Sequence, residues 1–156
     1  MLSVGIGPAA WPMLATVPNG RTQASVDKAI ADIRAGLASA NLIPLAADNG
    51  TAEGCAATIA AIPSVDILVN NLGVYWSSPF EETSDEDWFR MLEINLMSAV
   101  RLTRHYFPKM LAANWGRVLF ISSESGITPQ PNMMHYSMTK SAQLSVSRAL
   151  AEECAG

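Results

Sequence analysis

The chain has 156 residues, of which 49% are hydrophobic and 15% charged, with a net charge of -4; this balance suits a sheet covered on both faces and provides no basic footprint for nucleic acid. No apolar run is long enough to span a bilayer, and the N-terminus lacks the charged region that opens a signal peptide. Cys55 and Cys154 stand at no metal or redox spacing, which predicts two free thiols in a cytoplasmic protein and no metal site.

Strand-like and helix-like segments then alternate without linker, repeat or low-complexity tract. Ser25 to Leu37 places Val26, Ala29, Ile30, Ile33 and Leu37 at helical spacing, and Leu42 to Ala47 follows as a short strand. Cys55 to Ile62 reads as a helix and Val65 to Val69 as the next strand. Ser84 is expected to cap a helix with Asp87 at its third position. That helix continues through Trp88, Leu92, Leu96, Val100 and Leu102, and Pro108 should kink or interrupt it. Glu81 to Asp87 is a solvated acidic loop and helix start, and His105 and His135 are expected at the surface or an edge. Gly116 to Gly126 is apolar and β-branched before ending in small polar residues, which predicts a buried parallel strand delivering a serine at its carboxyl end. A βα repeat of this kind favours right-handed crossovers and one parallel sheet, with ligands at the carboxyl ends of its strands.

The polar groups with chemical meaning are Asn95, Ser123, Tyr136 and Lys140. Tyr136-Ser137-Met138-Thr139-Lys140 spaces tyrosine and lysine by four, so a helix sets both on one face, one turn apart. An ammonium held there stabilises a phenolate, which can exchange a proton with an alcohol or carbonyl oxygen. Such a pair alone is common in proteins, and its context carries the weight: Ser123 lies thirteen positions before Tyr136, at the end of the predicted strand. Asp66-Ile67-Leu68-Val69-Asn70-Asn71-Leu72-Gly73 ends another strand in two amides and a glycine. Tyr75, Trp76 and Phe80 follow it as a candidate pocket rim.

Together these residues resemble the short-chain dehydrogenase/reductase family, from Asn19 to about Cys154. The resemblance implies a Rossmann-like doubly wound α/β domain and hydride transfer between NAD(P)(H) and a ketone or secondary alcohol. It implies that Tyr136 transfers the proton, that Lys140 acts on Tyr136 and holds the nicotinamide ribose, and that Ser123 hydrogen-bonds the substrate oxygen. Asn95 is implied to distort its helix locally and hold a water linked to Lys140. Asn70, Asn71 and Gly73 would lie against the cofactor, and Leu72 stands where the family usually has alanine. Asp48 matches the position that hydrogen-bonds the adenine ring, with a turn or helix-cap role as the alternative. Arg21 falls beside the adenosine ribose, where an arginine pairs with a 2′-phosphate; this leans toward NADP, with NAD as the alternative. The implied partners are a small carbonyl or alcohol substrate and further copies of the chain, with no nucleic acid or membrane.

Both ends depart from that pattern. Of the expected Gly-rich turn only Val4-Gly5-Ile6-Gly7 matches, and Pro8, Pro12 and Pro18 stand where a helix and a second strand belong, which suggests a frameshifted or truncated reading frame. Family members run well beyond 156 residues, so the expectation is one partial domain, 1–156, atypical over 1–18 and lacking a C-terminal strand. Such a chain is expected to be weakly active or inactive by itself. The alternatives are a non-catalytic remnant or interaction fragment, and a nucleotide-sugar epimerase or dehydratase, a second class that uses Tyr-x-x-x-Lys.

Overall fold

The computed structural model describes residues 4–5 and 15–154. In chain order its strands are β1 (Val4–Gly5), β2 (Ala15–Thr16), β3 (Asn19–Gly20), β4 (Asn41–Leu42), β5 (Leu45–Ala46), β6 (Ile67–Asn70) and β7 (Arg117–Phe120). The helices are α1 (Gln23–Gly36), α2 (Ala52–Ala61), α3 (Asp85–Leu92), α4 (Ser98–Ala112) and α5 (Met134–Glu153), with a π turn, Glu93–Met97, joining α3 to α4.

Two parallel ladders form the sheet layer. In one, β2 pairs with β4 and β3 with β5, while β6 pairs with β7 in the other, from Ile67↔Arg117 to Asn70↔Phe120. The first ladder is one strand pair interrupted by proline: Ile43, Leu45 and Ala47 N–H groups donate in turn to the Thr16, Pro18 and Gly20 carbonyls. Pro18 and Pro44 lack N–H donors, so each strand registers as two short pieces. The expectation that the prolines keep this segment out of the sheet is corrected: 15–20 pairs as a strand, with Pro18 buried. β1 pairs antiparallel with β6 through Val4↔Leu68 and Gly5↔Ile67, and Ile6 to Leu14, with Pro8 and Pro12, lies outside the described residues.

An amide network ties the first ladder to α2. Asn19 Nδ2 donates to the Leu45 and Ala47 carbonyls, both at 3.1 Å, and its Oδ1 accepts from Asn49 Nδ2 at 2.9 Å. Thr58 of α2 then donates to Asn49 Oδ1 at 2.6 Å. The core joins Val17, Cys55, Val65, Leu68, Leu102, Tyr106 and Met110, so α2 and α4 close over the strands. Tyr106 anchors this packing by donating to the Ile62 carbonyl at 2.7 Å, and burial pushes its phenol pKa up to about 12.

The helix starts follow their caps. Thr22 and Ser25 form a reciprocal capping box that opens α1 two residues before the predicted start, and the Ser84 side chain accepts from the Asp87 N–H as expected. Pro108 does not interrupt α4, which continues to Ala112. Burial of Leu102, Tyr106 and Met110 on both sides of it offsets the missing donor, a loss of about 3 kcal/mol in an unsupported helix. β7 is less buried than its apolar sequence predicts: among the described strands it pairs only with β6, and Leu119 and Ile121 are exposed.

Candidate active site

The site begins where β3 and β6 end. Asn19, Gly20, Arg21, Asn70, Asn71 and Leu72 help to line a cavity of 170 Å³ between the two ladders. Asn70 Nδ2 donates to Thr103 Oγ1 at 3.1 Å, while its Oδ1 is buried without a hydrogen-bond partner. Arg21 is the charged residue among the described residues lining the cavity, and no carboxylate joins it there. Asp48 lies outside this lining and builds a turn: its Oδ1 accepts from the Gly50 N–H at 3.0 Å, and its carbonyl accepts from Thr51.

The second group of candidates gathers on α5. Tyr136 and Lys140 lie one turn apart, with the Lys140 ammonium 5.6 Å from the Tyr136 ring centroid. Lys140 is only 5% exposed, and burial pulls its pKa below the ordinary lysine value. Its Nζ donates to the Ile121 carbonyl at 2.7 Å, just past the end of β7. Two further bonds fasten the following loop to α5: Ser122 Oγ donates to the Lys140 carbonyl at 3.0 Å and Ser141 Oγ to the Gly126 carbonyl at 2.7 Å. Gly126 permits this close approach, because a Cβ there would meet Lys140 backbone carbon and Ser122 Oγ at 3.0 Å. Ser123 rides on that loop, half-buried; its Oγ accepts from the Ser125 N–H at 3.2 Å, leaving its own proton to donate.

Asn95 connects the β6 loop to this helix. It is fully buried in the π turn. Its Oδ1 accepts from the Val74 N–H at 2.8 Å, while its Nδ2 donates to the Val74 carbonyl at 2.9 Å and to Thr139 Oγ1 at 3.2 Å. This pins the loop after Gly73 beside Lys140: a Cβ on Gly73 would stand 3.7 Å from Lys140 Nζ and 3.4 Å from Asn95 Oδ1. Asn95, Gly73, Tyr136 and Lys140 therefore share one locus with the Ser123 loop fastened to it, while Arg21, Asn70 and Asn71 share the neighbouring cavity.

Aromatic residues border Tyr136. The Tyr75 ring lies 5.9 Å from it, and Phe80 packs edge-on against Trp88 at 6.4 Å. His135 is 1% exposed, contrary to its expected surface placement: Trp76 and Trp88 flank its ring at 5.1 and 5.9 Å, and its Nε2 is buried without a partner. The sequence reading did not single out Gln143, Thr139 or Thr103, each of which contacts a candidate residue. Gln143 carried a readable signal, a polar residue three positions after Lys140 and so on the same helix face.

Parallel ladders crossed by helices, with polar side chains gathered at their carboxyl ends, define an incomplete Rossmann-like α/β fold. The family model described as short chain dehydrogenase matches residues 10–156, and the chain belongs to the short-chain dehydrogenase/reductase family. It is 46% identical to the uncharacterized oxidoreductase YvaG of Bacillus subtilis over 97% of its own length, and spans 60% of that relative. L-sorbose reductase from Gluconobacter frateurii, solved with NADPH and L-sorbose, superposes with a TM-score of 0.78 at 29% identity, covering 88% of this chain and 53% of that one. A metagenomic short-chain oxidoreductase solved with NADP gives a TM-score of 0.78 at 28% identity, covering 88% of this chain and 62% of that one.

Proposed function

We propose that this chain carries the proton-transfer half of an NADP-preferring oxidoreductase that interconverts a ketone and a secondary alcohol. The observation that carries the reading is the buried Lys140 ammonium beside Tyr136, which has no ion-pair partner among the described residues, with the Ser123 loop fastened to the same helix. Ser123 Oγ–H and Tyr136 Oη–H donate to the substrate oxygen, and the tyrosine proton passes to that oxygen as it gains negative charge. The positive charge of Lys140 stabilises the phenolate left behind. When bound, the nicotinamide cofactor supplies or accepts the hydride.

The residues present suit such a cofactor. The Arg21 guanidinium lines the cavity with no carboxylate among the described lining residues, which favours an adenosine 2′-phosphate over a bare hydroxyl. Asn71 and Gly73 would border it, Asp48 would reach the adenine ring, and Lys140 and Tyr136 would meet the nicotinamide ribose. Cytoplasmic location fits the free Cys55 and Cys154, and assembly into a dimer or tetramer fits the exposed Phe89 on α3.

The test completes the domain by replacing residues 1–18 with the N-terminal segment of the Bacillus relative and joining that relative's C-terminal segment after this chain. The chimera should reduce small ketones with NADPH, and Tyr136→Phe should remove nearly all hydride transfer while leaving NADPH binding largely intact. A Tyr136→Phe chimera that retained a substantial fraction of the rate would overturn the assignment. The 156-residue chain alone should bind NADPH weakly and turn over little, because an error of about 1 Å in placement can cost a hundredfold in rate. Micromolar binding with ordinary turnover would contradict that expectation.

A further inference from the structure

The ammonium of Lys140 has three hydrogens, and Ile121 accounts for one. A second is directed to Gln143 Oε1 at 3.3 Å. Gln143 is 1% exposed, and its Nε2 donates to the backbone carbonyl of Asn95 at 2.7 Å. We propose that Gln143 is a positioning residue that ties the Lys140 ammonium to the Asn95 carbonyl of the π turn, fixing where the lysine charge stands relative to Tyr136.

Donor and acceptor chemistry sets the orientation of the amide. A backbone carbonyl only accepts, so the NH2 end of Gln143 must face Asn95 and its oxygen must face the ammonium, which only donates. The two bonds support each other, since the Asn95 carbonyl orients the same amide that receives Lys140. An unrestrained lysine carries its charge on a flexible four-carbon stem, and the contact with Ile121 alone leaves a cone of positions open. A neutral amide limits that freedom without neutralising the charge, as a carboxylate would.

The surroundings agree with a neutral holder. On α5, Tyr136 faces Lys140, and behind it Tyr75 comes from the loop after β6. The end of β7 presents the Ile121 carbonyl. Glu93 of the π turn is paired with Arg101 at 2.6 Å, and among the described residues no carboxylate forms an ion pair with Lys140. The consequence for proton transfer rests on the oxidoreductase reading; the placement of the charge does not.

The experiment follows Lys140 directly. The chain contains three lysines, Lys28, Lys109 and Lys140, so its lysine side chains can be isotope-labelled and titrated individually by NMR, with Lys140→Arg assigning the signal. Gln143→Met keeps the shape and removes both bonds, and should lower the Lys140 midpoint by about one pH unit, the size expected for losing a hydrogen bond to a charged group. Gln143→Glu should raise it by pairing a carboxylate with the ammonium. Variants that hold native circular dichroism while leaving the midpoint unmoved would overturn the proposal. In the unsubstituted protein the Gln143 side-chain NH2 should exchange its hydrogens slowly, and exchange as fast as that of free glutamine would overturn it even if both variants unfold. Neither measurement needs substrate or cofactor, so this inference and the assignment of Tyr136 succeed or fail separately.

Discussion

Asn95 and Val74 exchange two hydrogen bonds, the Asn95 amide playing the part of a backbone partner: Oδ1 accepts from the Val74 N–H at 2.8 Å and Nδ2 donates to the Val74 carbonyl at 2.9 Å. A side chain of the π turn thus pairs with the loop that follows β6, four residues past the end of the strand. Asn95 is fully buried and Val74 half-buried, so removing the amide takes away the partner of both Val74 groups and of the Thr139 hydroxyl at once.

Asn95→Ala should therefore destabilise the chain by about 2–4 kcal/mol, leaving buried polar groups unpaired. Asn95→Asp keeps the acceptor for Val74 N–H but sets a second acceptor against the Val74 carbonyl, and should be destabilised as well. Urea unfolding followed by circular dichroism checks both. A loss for either variant as small as that at an exposed control position would show that the clamp carries no stability.

The contact of the Ser123 loop with α5 is tested at Gly126. An added methyl group meets Lys140 backbone and Ser122 Oγ at 3.0 Å, so the loop must move away from the helix by a few tenths of an ångström. Gly126→Ala should cost about 1–3 kcal/mol, as overpacking does, and should also weaken the bonds from Ser122 and Ser141. Unfolding midpoints measure the cost. A variant as stable as the parent would show that this loop is not packed against α5.

The sequence showed which residues would be close along one element and less of what lies between elements. Tyr136 and Lys140 were legible because helical spacing alone brings them together, and Ser84 because a cap is a local bond. Gln143 was not read, because its meaning comes from the Asn95 carbonyl 48 positions away. His135 looked like a surface histidine, since nothing local shows that Trp76 and Trp88 enclose it. Pro18 suggested a broken strand. The ladder around it survives because its neighbours supply the donors and acceptors and Asn19 fastens the edge from the side.

Cofactor preference should follow Arg21. It lies at the cavity without a carboxylate beside it, so in the completed chimera NADPH should bind better than NADH. A charge-assisted contact with a phosphate is worth about 1.5–3 kcal/mol, or roughly ten- to a hundredfold in affinity. Arg21→Asp should reverse the ratio, through loss of the contact and repulsion of the phosphate. Titrations with both cofactors decide it, and an unchanged ratio would make Arg21 a surface residue.

Stability should fall on mild acidification because of His135. Burial lowers its pKa below the ordinary 6.5, with the nearby Asp87 opposing this more weakly. The sign follows from proton uptake: below pH 6.5 the unfolded chain binds a proton at this histidine that the folded chain still refuses. Unfolding is then increasingly favoured as pH falls from that value to the lower folded pKa, by at most about 1.4 kcal/mol per pH unit, and the contribution is constant above and below the window. His135→Phe retains an aromatic ring between Trp76 and Trp88 while removing both the proton site and the unpartnered Nε2. The stability of this variant relative to the parent should therefore rise as pH is lowered through that window, whatever the other titrating groups contribute to both proteins. Parallel urea titrations at a series of pH values measure the difference, and curves that stay a constant distance apart would show that His135 does not titrate differently on folding.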